Sequence, residues 1–217
     1  KNLLACFPSI GYDILLITRE KPERLGLLPL GKGERAEATQ CLKPRERVER
    51  MGKTGYLVLE NGRIFRGERF GAEGEMTAEV VFTTGMTGYL ETLTDRSYWG
   101  QMVVQTFPLI GNYGVIPADF ESDAIGPCAY IVKQWCQAPS NFRSQGSLDT
   151  FFKEKGVIGL SGIDTRTLTK IIRETGVMNG VITDDPATVD FEALKAYRVT
   201  GAVKASSTKE RYVVRPE

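Results

Sequence analysis

The chain has 217 residues, 41% of them apolar, enough to bury a sizeable core in one domain with appendages. Its 28 Lys and Arg nearly balance 27 Asp and Glu, which leaves no strong net field to draw nucleic acid or an anionic membrane surface. The chain has no histidine, which removes Ser-His and Cys-His dyads, histidine metal ligands and histidine acid–base chemistry.

The four cysteines, Cys6, Cys41, Cys128 and Cys136, are widely spaced without a C-x-x-C pair, so neither a zinc site nor a disulfide framework is indicated. Free thiols in a reducing cytoplasm are the expectation. No apolar run reaches membrane-span length, and the longest near the start, YDILLI, has the length of a strand. Residues 19–50 are rich in charge, Pro and Gly and lack a sustained period, which predicts a poorly ordered leader outside the core. Six glutamates interleave with its basic residues, against a mitochondrial presequence.

From Tyr56 the signals sharpen. YLVLENGRIFRG reads as two strands joined at Asn61-Gly62, the strongest two-residue hairpin signal. EVVFTT and QMVVQTF are further strands, with YLETLTD between them as a short helix, and CAYIV is a buried strand. In SLDTFFKEKG, Ser147 is placed to cap a helix that buries Leu148, Phe151 and Phe152 and stops at Gly156. VIGL follows as a strand. GIDTRTLTKIIRETG is a second helix: Asp164 caps it, Ile163 and Leu168 form a hydrophobic staple, Leu168, Ile171 and Ile172 make the buried stripe, and Gly176 takes a left-handed terminus. VMNGVI is a strand and VDFEALKAY a short helix. A hairpin-rich first half and alternating elements in the second predict a mixed α/β domain.

Few motifs carry chemistry. Gly26-x-x-x-x-Gly31-Lys32 has phosphate-loop spacing, but Gly33 replaces the magnesium-binding Ser or Thr and the loop lies well past the YDILLI strand. Arg166, Lys170 and Arg173 line one helix face, which is either solvated or an edge for docking an acidic partner. TDRSYWG reads as an Asx or Ser turn entering a strand, a place where a hydroxyl can also meet a small ligand.

The segments EVVFTTGMTGYLETLTDRSYWGQMVVQTFPLIGNYG and GIDTRTLTKIIRETGVMNGVI closely resemble the N-terminal domain of the small, glutamine-hydrolysing subunit of carbamoyl-phosphate synthase. YLVLENGRIFRGERFG, SNFRS and SSTKERYVV extend the likeness over about residues 55–214. The resemblance implies an α/β fold of three layers, β/β/α, with one parallel sheet, one antiparallel sheet and helices as the third layer. It divides the chain into a leader at 1–54, the family domain at 55–203 and a linker at 204–217 toward an amidotransferase domain. That further domain, with its cysteine nucleophile and His and Glu partners, is expected outside this sequence.

The family's small subunit releases ammonia from L-glutamine. The large subunit, where ATP and magnesium are expected, combines that ammonia with bicarbonate to make carbamoyl phosphate for arginine and pyrimidine synthesis. This chain is accordingly expected to hold no cofactor, no metal and no catalytic residue. It would supply scaffold, an interface with the large subunit and with its own amidotransferase domain, and one substrate contact, in the cytoplasm and inactive alone. Ser97 matches the family serine that touches glutamine bound in the amidotransferase domain. Arg96 departs from the family, which usually has proline there to fix the turn. The alternative is a stand-alone, non-catalytic interaction module with the same fold.

Overall fold

A computed structural model describes residues 52–211 and residue 213. The leader reading, the YDILLI strand, the Gly26–Lys32 loop, Cys6 and Cys41 lie outside the described residues.

Strands β1 (Thr54–Leu59) and β2 (Ile64–Gly71) pair antiparallel, with Tyr56 opposite Arg66 and Val58 opposite Ile64. Their connection is not the two-residue turn that Asn61-Gly62 suggests. The Leu59 N–H donates to the Arg63 carbonyl at 2.9 Å and the Gly62 N–H to the Leu59 carbonyl at 2.8 Å, so Glu60, Asn61 and Gly62 all lie in the loop. Gly62 takes φ +83°, while the Asn61 side chain accepts from the Arg63 N–H at 3.1 Å. A three-residue loop with a left-handed glycine closes the strands through a bulge.

The chain continues through β3 (Met76–Thr83), α1 (Tyr89–Thr94), β4 (Gln101–Gln105), β5 (Leu109–Ile110), β6 (Ala129–Ile131), β7 (Gln134–Trp135), α2 (Leu148–Lys155), β8 (Ile158–Ser161), α3 (Thr165–Thr175), β9 (Met178–Thr183), α4 (Phe191–Ala196) and α5 (Ala202–Ser206). Among the described residues, no helix is long and apolar enough to cross a membrane.

Seven strands close on themselves in the order β1-β2-β8-β6-β4-β3-β9, while β5 and β7 form a separate parallel pair. This corrects the expectation of two separate sheets. Strands β8, β6, β4 and β3 run parallel, and β9, β1 and β2 complete the ring antiparallel. Because β3 and β8 each pair parallel on one edge and antiparallel on the other, they join both sheets into a barrel with no free edge. Small side chains let the interior close. A Cβ at Gly180 would sit 2.7 Å from Val80 Cγ2, and Ala78 and Ala129 are wholly buried beside it in the same cluster.

Two cores follow from the alternation of each strand. Leu57, Leu59, Val80, Met102, Val104, Ile131, Leu160 and Ile182 fill the inside of the barrel. Leu168, Ile171 and Ile172 of α3 join that interior cluster, so this helix packs its apolar stripe on the barrel core and not on the face that α1 and α2 cover. The opposite faces, at Phe70, Val103 and Tyr130, meet Leu90 and Leu93 of α1 and Phe151 and Phe152 of α2 in a second cluster. Burying one such aliphatic or aromatic side chain contributes ~1.5–3 kcal/mol, so each helix is held chiefly by its apolar face.

The helix ends obey their local sequence. Ser147 accepts from the Thr150 N–H at 3.2 Å, and Asp164 accepts from the Thr167 N–H at 3.1 Å. Hydrogen bonds from Thr167 hold the Asp164 carboxyl below the usual carboxylate range. Gly156 ends α2 in the left-handed conformation, as expected. Gly176 does not: its φ is +90° but its ψ is −173°, an extended exit that feeds the chain directly into β9. Arg166, Lys170 and Arg173 are all exposed.

Candidate functional site

The sequence TDRSYWG folds as a single turn of 3-10 helix over Arg96–Tyr98, capped by Asp95. The Asp95 side chain accepts from the Ser97 N–H at 2.8 Å, and its carbonyl accepts from the Tyr98 N–H at 3.3 Å. The expected Asx turn is therefore present, and β4 begins three residues after it. The Ser97 side chain takes no part in it. Ser97 is exposed, and its hydroxyl makes no hydrogen bond among the described residues.

Everything behind that hydroxyl is tied down. Thr94 is buried at the end of α1, where its Oγ1 donates to the Leu90 carbonyl at 2.8 Å and accepts from the Glu121 N–H at 2.9 Å. Ser122 donates to the Thr94 carbonyl at 2.7 Å. The Gly126 N–H reaches the Leu93 carbonyl at 3.0 Å, and the Gly100 N–H reaches the Gly126 carbonyl at 3.2 Å. A Cβ at Gly126 would run into the Asp95 carbonyl, so only glycine allows this approach. At the other end of α1, Tyr89 stacks on Tyr113 at 4.2 Å and donates to the Gly114 carbonyl at 2.5 Å. Burial pushes the Tyr89 hydroxyl well above its ordinary pKa, so it stays a neutral donor.

A cleft of about 1140 Å³ opens beside the turn, between Arg96 and Trp99, the segment around Phe120 and Ile125, and the chain from Ala205 to Lys209. Ser97 is not among its lining residues. The described residues thus present an exposed hydroxyl on an ordered turn without a closed pocket around it. Such a group can donate or accept one hydrogen bond to a ligand that another surface holds.

Among the described residues, no cysteine or histidine lies in the turn or lines the cleft beside it. Of the cysteines, Cys128 and Cys136 are free, and no cluster of three metal-ligating side chains occurs among the described residues. Sequence reading found Asp95 and Ser97 but missed the backing residues Thr94, Ser122, Gly126 and Ser206. The Gly126-Pro127 pair is a turn signal that could have drawn attention to that loop, and Ser206 opens the SSTKERYVV segment of the family likeness without any local sign of a backing role.

Residues 57–182 match the family model for the carbamoyl-phosphate synthase small chain, CPSase domain, and the chain belongs to that family. It is 52% identical over 163 residues to the carbamoyl phosphate synthase small chain of Chlorobaculum tepidum, covering 73% of this chain and 44% of that one. It is 47% identical over 163 residues to the corresponding chain of Clostridium perfringens, covering 74% and 47%. The chain thus spans about half the length of the curated relatives it matches. Among solved structures, an aminopeptidase from Aneurinibacillus sp. strain AM-1 shares 17% identity at a TM-score of 0.36, over 59% of this chain and 30% of that one, which is too slight to bear on fold or function.

Proposed function

We propose that this chain is the N-terminal part of the small subunit of a glutamine-dependent carbamoyl-phosphate synthase, and that Ser97 contacts L-glutamine held by an amidotransferase domain. Ammonia released there passes to a large subunit, which joins it to bicarbonate at the expense of ATP. The chain supplies scaffold, subunit interface and one hydrogen bond to substrate, and the cofactor and metal chemistry belongs to the large subunit. The observation that carries this reading is the Ser97 hydroxyl, exposed and without a partner among the described residues, on a turn capped by Asp95, in a chain of this family. A serine kept only for the turn would have its oxygen in the turn's hydrogen bonds, and here Asp95 alone serves that need.

Ser97→Ala tests it in the chain joined to the amidotransferase domain and assembled with the large subunit. A hydrogen bond to an ionised group contributes ~1.5–3 kcal/mol, so kcat/KM for glutamine should fall roughly ten- to a hundredfold. Synthesis driven by ammonium salt bypasses glutamine and should be unchanged. Equal loss with both nitrogen sources would assign Ser97 to structure instead.

A further inference from the structure

We propose that Arg96 and Ser206 form a latch that sets the position of the Ser97 hydroxyl, which makes Arg96 a positioning residue for glutamine binding; this rests on the reading of Ser97 above. The two residues lie 110 positions apart and make a reciprocal pair. Arg96 Nη1 donates to the Ser206 carbonyl and Ser206 Oγ donates to the Arg96 carbonyl, each at 3.4 Å and each half-buried. Ser206 is the last residue of α5, where helix carbonyls run out of partners within the helix. A guanidinium suits such a carbonyl by charge as well as by reach.

The chain contains its own control for what Arg96 replaces. Asp185-Pro186-Ala187-Thr188 folds into the same turn: Asp185 Oδ1 accepts from the Ala187 N–H at 2.9 Å and its carbonyl from the Thr188 N–H at 3.3 Å. The corresponding distances at Asp95 are 2.8 and 3.3 Å. In that second turn Pro186 fixes φ at the first helical position, and the only anchor at Asp185 besides the turn's own bonds is the neighbouring Thr183 hydroxyl among the described residues. Arg96 leaves the same torsion free, and the contact with Ser206 restrains it from outside. The backbone at Arg96 is already shaped for proline. Asp95 sits at φ −79°, ψ 115°, the extended region required before a proline, and the Arg96 N–H makes no hydrogen bond among the described residues. The latch crosses the cleft beside the turn, so the placement of Ser97 depends on how the chain around α5 is held.

The test compares Arg96→Ala, Arg96→Pro, Ser206→Ala and Ser97→Ala in the assembled enzyme, alongside hydrogen–deuterium exchange on the 217-residue chain. Arg96→Ala is expected to raise the glutamine KM about three- to tenfold while leaving kcat and ammonium-driven synthesis unchanged. Ser206→Ala, which loses the hydroxyl's bond but keeps the carbonyl that accepts from Arg96, should raise the KM in the same direction by less. Arg96→Pro should restore the KM, because proline supplies the restraint locally; failure to restore it would mean that the guanidinium itself meets the substrate, and would overturn the latch. In exchange, Arg96→Ala should deprotect residues 94–100 and 202–208 together, and Arg96→Pro only the second segment. Unchanged exchange at 94–100 in Arg96→Ala overturns the latch whatever the kinetics show. Faster exchange with unaltered KM in both Arg96→Ala and Ser97→Ala overturns the Ser97 reading, and the positioning role with it. A KM effect in Ser97→Ala with none in Arg96→Ala overturns the positioning role alone.

Discussion

The Cys128 thiol, half-buried at the head of β6, donates to the Gln101 carbonyl at 3.3 Å, and loss of solvation pushes its pKa up to about 11. Only the thiolate attacks an alkylating reagent, and at pH 8 such a group is about one-thousandth ionised, against about a quarter for a free cysteine. Iodoacetamide labelling of Cys128 at pH 8 in the folded chain should therefore run about two-hundredfold slower than in urea. The sign with pH follows. Raising the pH toward 11 should accelerate native labelling roughly tenfold per unit, because the neutral form is what burial favours. Site-resolved mass spectrometry reads the rate, and native labelling at the urea rate at pH 8 would contradict the burial argument. Ser97 is the opposite case in burial, an exposed hydroxyl.

At the scale of elements, α3 separates packing from surface. Ile171 is 8% exposed inside the barrel cluster, with Leu168 and Ile172 beside it. Ile171→Ala should cost ~2–5 kcal/mol, the range for truncating a core aliphatic residue and leaving a cavity. Arg166 and Lys170 are exposed and form no salt bridge among the described residues, so Arg166→Ala and Lys170→Ala should each stay within ~0.5 kcal/mol. Urea unfolding of the three variants gives the comparison. Weakened assembly with the large subunit in the two basic variants, at unchanged stability, would identify that face as a docking edge.

At the scale of the whole molecule, the described residues form a barrel with helices packed on it, and the sequence offers no histidine for acid–base chemistry. The chain's four cysteines have no histidine anywhere in the sequence to serve as base. The 217-residue polypeptide by itself should release no glutamate from glutamine above buffer background. Release that disappears on changing one cysteine to serine would refute this. Two cores on opposite faces of the parallel strands hold α1 and β4 on either side of the Ser97 turn.

The sequence by itself determined what depends on neighbours a few residues apart. Ser147 and Asp164 cap their helices as their positions predict, the apolar stripe of α3 is buried, and Asp95 makes its Asx turn, because each requires only contacts within about one turn of chain. Family membership was legible for the same reason, as ordered strings of residues. The tertiary structure decided what depends on which distant segments meet. Strand period marks β3 and β8 as strands, but not that each pairs parallel on one side and antiparallel on the other, so the barrel could not be read in advance. Gly62 and Gly176 were legible as special positions, yet their loop length and ψ were set by the strands they serve. At the site, the sequence offered Ser97, and only the fold supplied its backing. Ser122 and Gly126 approach from another loop, and Ser206 from 110 residues away, and no local pattern encodes a hydrogen bond between segments brought together by packing.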